Sequence, residues 1–284
     1  MKHGLLISYH YLGCRAEELT WQIWKEAKAR GVGVVLDSGA FSASTLGAPI
    51  SVLDYGKFVS RFHGKFDWVA SLDVIGDHER TWKNWQVLRQ YHEEIVPCVH
   101  YGSPPEEALR YVKAGATRLA LGGLVPHRAS LKRSDSEPSR WLDQIFRSLS
   151  QHAPLIPVHG FGVSGPDVLG RYRWTTVDST TAINNAMFRK LLVYKDGLLK
   201  ALKHDEKNQD ARTMAAVADS WEVRRGCDAS PTRKARIKAA MYAMHGLGED
   251  SGLRILYHAS VPNKCDVGAI LEEAARLNAL KAKR

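Results

Sequence analysis

The chain has 284 residues, 44% of them hydrophobic and 25% charged, an ordinary globular balance that suits one large α/β domain, or one barrel with an appendage. Its formal charge is +10 with a pI near 9.4, and the excess is lopsided: residues 185–284 hold 19 Lys and Arg against 12 Asp and Glu, a net of +7. Such a balance points to a polyanionic partner, either nucleic acid or an acidic surface. No stretch approaches a membrane span, and the four cysteines (14, 98, 227 and 265) form no CxxC pair. These features argue against a membrane protein and a disulfide framework, and for a soluble cytoplasmic protein in a reducing compartment.

In chain order, strands and helices alternate. Leu5–Tyr11 reads as a strand and Ala16–Arg30 as a helix closed by Gly31. Val32–Asp37 is a short apolar run ending in a carboxylate, the pattern of a strand covered on both faces. Ser51–Phe62 reads as a helix and Trp68–Val74 as strand three. In the helix His78–Tyr91, Trp82, Trp85 and Leu88 recur at helical spacing, which marks core packing. Ile95–His100 is strand four, and Pro104-Pro105-Glu106-Glu107 opens a helix ended by Gly115. Arg118–Leu121 is strand five, running into Gly122-Gly123-Leu124. A polar loop over 126–139, with Arg128, Lys132 and Arg133, leads to a helix at Arg140–Ser150. Leu155–His159 is strand six, Ser164–Gly170 a short helix with a serine cap, and Thr175–Asp178 strand seven.

Seven such alternations predict a (β/α)8 TIM-type barrel, with Leu253–His258 as the eighth strand; a doubly wound open sheet is the alternative. Residues 1–184 would form the barrel core with its catalytic rim. Residues 185–284 would supply the last unit and a basic helical region, within one continuous domain. From 185 onward the pattern predicts longer, more basic helices. Arg224, Arg225, Arg233, Lys234, Arg236 and Lys238 are the candidate phosphate contacts there, or else a solvated face.

Asp37, Asp73 and Asp178 each end a predicted strand, and a barrel places those ends on one rim. Any one of them could instead cap a helix or satisfy a turn. Three acids on a rim suit metal binding, glycoside chemistry or stabilisation of a cationic intermediate. Gly160-Phe161-Gly162 lacks the last glycine of a dinucleotide fingerprint, and no HExxH or Walker context is present.

Asp-Ser-Gly-Ala-Phe at 37–41 resembles the Asp-Ser-Gly-Gly-Phe motif of the queuine/archaeosine tRNA-ribosyltransferase family. Four more landmarks follow in that family's order over roughly residues 30–185. They are Asp73, Val99-His100-Tyr101-Gly102, Leu121-Gly122-Gly123-Leu124, and His159-Gly160-Phe161-Gly162 with Pro166-Asp167-Val168-Leu169, before Asp178 on the next strand. The resemblance implies a (β/α)8 enzyme that exchanges guanine for a 7-deazaguanine, with no cofactor. It implies Asp178 as nucleophile, Asp37 as general acid/base, and Ser38, Phe41, Asp73, His100, Gly122, Gly123, Leu124 and His159 around the base. The family's zinc-binding CxCxxC…His segment is missing; Cys227, His258 and Cys265 could form a different metal site. That departure, with His100 and Ala40 in place of the family's Gln and Gly, resembles the phage and bacterial branch that inserts 7-cyano-7-deazaguanine and related bases into DNA. DNA is therefore the expected partner and tRNA the lesser one. A glycoside hydrolase or a non-catalytic nucleic-acid-binding barrel are the readings from other classes.

Overall fold

The computed structural model describes residues 3–92, 94–163, 165–195, 198–203, 233–251, 254–259 and 264–280. Its strands are β1 (His3–Ser8), β2 (Gly33–Asp37), β3 (Val69–Ala70), β4 (Ile95–Val96), β5 (Cys98–His100), β6 (Leu119–Gly122), β7 (Val158–Gly160), β8 (Thr176–Ser179), β9 (Lys190–Lys195), β10 (Leu198–Lys203) and β11 (Arg254–Ala259). The helices are α1 (Tyr9–Leu12), α2 (Ala16–Ala29), α3 (Ala40–Thr45), α4 (Val52–Arg61), α5 (His78–Leu88), α6 (Glu107–Lys113), α7 (Glu137–His152), α8 (Pro166–Arg171), α9 (Thr181–Met187), α10 (Arg233–Ser251) and α11 (Lys264–Leu280).

Nine strand segments pair in parallel in the order β4-β3-β2-β1-β11-β8-β7-β6-β5. The two ends of that order, β4 and β5, are separated in sequence by Pro97 alone. They are two pieces of one strand, broken where proline has no N–H to donate. The Pro97 carbonyl still accepts the Ala120 N–H at 2.9 Å, so the sheet comes round on itself. The result is a mixed α/β, TIM-type barrel rather than a doubly wound open sheet.

Strand parity then sorts the side chains. Leu6, Val35, Trp68, Ala70, Val96, Cys98, Ala120 and Leu256 fill the barrel as one buried cluster. Their sequence neighbours Leu5, Ile7, Val34, Leu36, Val69, Val99, Leu119, Leu121, Ile255 and Tyr257 face outward into a second, larger core with the helices. β1 to β6 and β11 are thus apolar on both faces, which is why those predicted runs lacked polar alternation, whereas β7 and β8 send His159, Thr176 and Asp178 inward. Trp85 and Leu88 are buried in that outer core, as their helical spacing predicted.

Several elements differ from expectation. Strand one stops at Ser8 and turns into α1, and strand three keeps ladder geometry only over Val69–Ala70. α7 begins earlier than predicted because Ser136 caps it, accepting the Ser139 N–H at 3.4 Å, with Pro138 in the first turn. Gly165 precedes α8 without a side-chain cap; Ser164 lies outside the described residues. The largest difference follows residue 189. Where helices were expected, β9 and β10 pair antiparallel, and α10 packs on β9 through Ala239, which is buried with Leu191 and Val193. β11 then enters between β1 and β8, so the last hundred residues complete the barrel.

Candidate active site

A cavity of about 320 Å³ opens at the carboxyl ends of the strands. Parity and register build it. Asp37 lies two residues beyond inward-facing Val35 and pairs with Ser8; His100 lies two beyond Cys98 and pairs with Gly122; Asp178 pairs with Leu256. Asp37 and His100 therefore sit one layer above the apolar filling, pointing inward, and Asp178 points inward beside Leu256. Asp37, Asp73 and Asp178 all line the cavity, with Phe41, His100, Gly122, Gly123 and Arg128.

Each aspartate is held differently. Asp37 Oδ2 accepts the Gly39 N–H at 3.0 Å, an Asx-type turn made possible by Gly39 at φ 78°. Asp178 is 4% exposed, and its Oδ1 accepts the Gly162 N–H at 2.6 Å. Asp73 Oδ2 meets His100 Nε2 at 2.8 Å, while Oδ1 is buried with no N–H or O–H donor on it among the described residues. An orphaned buried acceptor costs about 1–3 kcal/mol, so a ligand offering N–H groups there gains what the apo site lacks.

The field in this rim is negative. Burial pulls the His100 imidazole down, but the charge and hydrogen bond of Asp73, with Asp37 behind, leave it raised above its ordinary value. Burial, then Asp73 and Asp37, push the Cys98 thiol well up; burial, then Asp37 and Asp73, do the same to the fully buried Tyr55 hydroxyl. Cys98 is therefore a neutral thiol below the site. One ligand atom each of Asp73, Cys98 and His100 lies within 4.8 Å of the others, the set at the site that could hold a metal ion. The Asp73–His100 hydrogen bond occupies the space between two of the three.

The glycine pair has a steric cause. A Cβ on Gly122 would lie 2.9 Å from Cys98 Sγ, and one on Gly123, at φ 75°, would lie 3.1 Å from the Tyr101 nitrogen. Side chains are excluded from this wall, which leaves room for a flat ligand against the backbone.

Three residues expected around the base stand elsewhere. Ser38 is buried in the turn, its Oγ accepting the Ala40 N–H at 3.4 Å. Leu124 is a core residue, 1% exposed. His159 is 0% exposed and lies beneath Asp178, with Nε2 3.5 Å from Asp178 Oδ1. Conversely, Tyr11, Ser42, Val125, Pro126, Phe161, Thr180 and Asn184 line the cavity unforeseen. Phe161 and Thr180 could have been found from their adjacency to Gly162 and Asp178; Tyr11 and Asn184 carried no signal.

The basic residues divide likewise. Arg128 is exposed at the cavity, its Nη2 donating to the Gly162 carbonyl at 3.1 Å; Lys132 is exposed, and Arg133 pairs with Asp135 at 2.9 Å. The helix expected to present a phosphate-binding stripe is turned to its own neighbour instead. Arg233 pairs with Asp266 (2.5 Å), and Lys234 and Lys238 both pair with Glu272 (2.9 and 2.6 Å) on α11. Arg236 is 7% exposed and donates to the Ala186 carbonyl at 3.3 Å. Arg224, Arg225 and Cys227 lie outside the described residues, as do the side chains of His258 and Cys265. No helix among the described residues is long and apolar enough to cross a membrane.

Fold and site together define a parallel α/β barrel with an acid-lined cavity at its carboxyl rim, the position at which barrel enzymes carry out their chemistry. No family model matches the chain. No curated protein matches it either.

Proposed function

We propose that the protein is a base-exchanging transglycosylase that replaces guanine in DNA with a 7-deazaguanine. The observation that carries this reading is the convergence of Asp37, Asp178 and the orphaned Asp73 acceptor on one cavity walled by Gly122-Gly123. A volume of about 320 Å³ suits a small planar ligand, and small-molecule sites run from about 300 to 1,000 Å³.

In this reading a carboxylate oxygen of Asp178 donates an electron pair to the sugar C1′. The C1′–N9 pair leaves with guanine, which takes a proton from the acid form of Asp37. The sugar ester conserves the bond energy, so no nucleotide triphosphate is needed. The incoming base then gives its N9 proton to Asp37, and its N9 displaces the carboxylate. Asp73 accepts the two N–H groups of the guanine amidine edge. A base inside a duplex cannot reach the cavity, so the nucleotide must flip out or lie in a single strand. Arg128 lines the cavity and suits a phosphate.

The test is exchange of labelled guanine into DNA and into tRNA, with trapping of a protein–nucleic acid adduct. Asp178→Ala is expected to abolish both exchange and adduct, and Asp37→Asn to stop turnover. Full exchange by Asp178→Ala would remove the reading. Labelling of tRNA but not DNA at the same salt would move the protein to the tRNA branch, and a non-catalytic nucleic-acid-binding barrel would give neither exchange nor adduct.

A further inference from the structure

His159 projects from β7 into the barrel, yet the ring is fully buried and does not line the cavity. Its Nδ1 lies 2.8 Å from Thr176 Oγ1 and its Nε2 3.5 Å from Asp178 Oδ1. Trp68 and Phe161 clamp the ring edge-on, with centroids 4.9 and 4.6 Å away. We infer that His159 is a positioning residue for Asp178, held as the Nε2–H tautomer with its proton turned toward that carboxylate. The inference rests on the reading of Asp178 as nucleophile.

The tautomer follows from what each partner can do. An ionised carboxylate only accepts, whereas a threonine hydroxyl can donate or accept. A neutral imidazole has one N–H, so it goes to Asp178, and Thr176 donates its hydroxyl to Nδ1. Asp178 Oδ1 then faces two donors, the Gly162 N–H at 2.6 Å and the His159 ring, from two sides. Two directions fix the plane of the carboxylate, which a single hydrogen bond leaves free to turn. The barrel filling includes the apolar side chains Leu6, Val35, Ala70 and Leu256, so these donors also replace the water that would otherwise solvate the charge. The same contacts receive the carboxylate when the sugar ester breaks in the second half-reaction.

Imidazole nitrogen NMR on the whole protein tests this first. One pyrrole-type resonance at Nε2 and one pyridine-type at Nδ1 are expected for His159 at neutral pH, with the Nε2–H share falling in Asp178→Ala. An Nδ1–H tautomer or a doubly protonated ring would overturn the inference. Kinetics test it second. His159→Leu keeps apolar packing against Trp68 and Phe161 and should fold. It should slow adduct formation about 10-fold, with KM little changed. His159→Gln, which can offer an amide N–H near the Nε2 position, should recover most of that loss. Wild-type rates in His159→Leu would overturn the inference. Absence of any adduct in the wild type would count against the transglycosylase reading, while the NMR result decides the tautomer by itself.

Discussion

At His100, burial and two carboxylates act in opposite directions, and the carboxylates prevail. A histidine raised in the folded state stabilises it most at low pH. Its contribution is full below the unfolded value of about 6.5, provided Asp73 is ionised, and is lost as pH rises through the raised folded value. Urea unfolding of the wild type and of His100→Gln is expected to differ most near pH 5.5 and to converge toward pH 9. A difference that grows with pH would show that the imidazole is held neutral. The same pair bears on recognition: the Asp73–His100 hydrogen bond uses one lone pair of Oδ2, so both carboxylate oxygens can still accept from the amidine edge of a base. In Asp73→Asn an amide N–H would occupy one of the two acceptor positions, weakening guanine by about 1–3 kcal/mol, which competition binding of the free base would detect.

At the scale of elements, α10 and α11 are joined by charge as well as by apolar packing. Lys238 first, then Lys234, hold the Glu272 carboxyl down at about 2. A depressed carboxylate contributes stability above its unfolded value of about 4.5 and loses it as pH falls through about 2. Glu272 is 42% exposed, so the solvent-screened contribution is at most about 1 kcal/mol. Arg236 is different because it is buried against the Ala186 carbonyl. Arg236→Glu is expected to cost roughly 2–3 kcal/mol, in the upper part of the usual range, and Glu272→Gln under about 1 kcal/mol. Thermal unfolding of the two variants checks the order. Charge reversal along α10 therefore tests packing before it tests DNA affinity, and the exposed side chains Arg128 and Lys132 are the better probes of phosphate contact.

At the scale of the molecule, closure is non-local. β1 pairs with β11 from His3↔Ile255 to Ile7↔Ala259, joining residues about 250 positions apart. Ile255, Leu256 and Tyr257 are at most 1% exposed, so β11 fills both core layers at once. Removing residues 254–284 would unpair the facing edges of β1 and β8 and open both layers to water. That truncation is expected to lose cooperative unfolding, read by near-UV circular dichroism and gel filtration. A truncated chain with the wild-type transition would mean that the sheet is stable open.

The sequence by itself determined the alternation of strands and helices, the apolar runs and the inward parity of Asp37, His100 and Asp178. These are properties of period and hydrophobicity, which are local. It also marked Gly122-Gly123, because a glycine pair at a strand end has few structural uses. The Lys190–Lys203 hairpin carries a local signal too, since Asp196-Gly197 lies between two apolar runs. Only the tertiary structure decided what parity cannot. It showed that Pro97 splits one strand without opening the barrel. It set His159 beneath Asp178 rather than in the cavity wall, and it paired Arg233, Lys234 and Lys238 with acids of α11 while burying Arg236 against the Ala186 carbonyl. In each case the deciding quantity is a distance between residues far apart in the chain, set by how layers stack and charges find partners, and no local pattern encodes it.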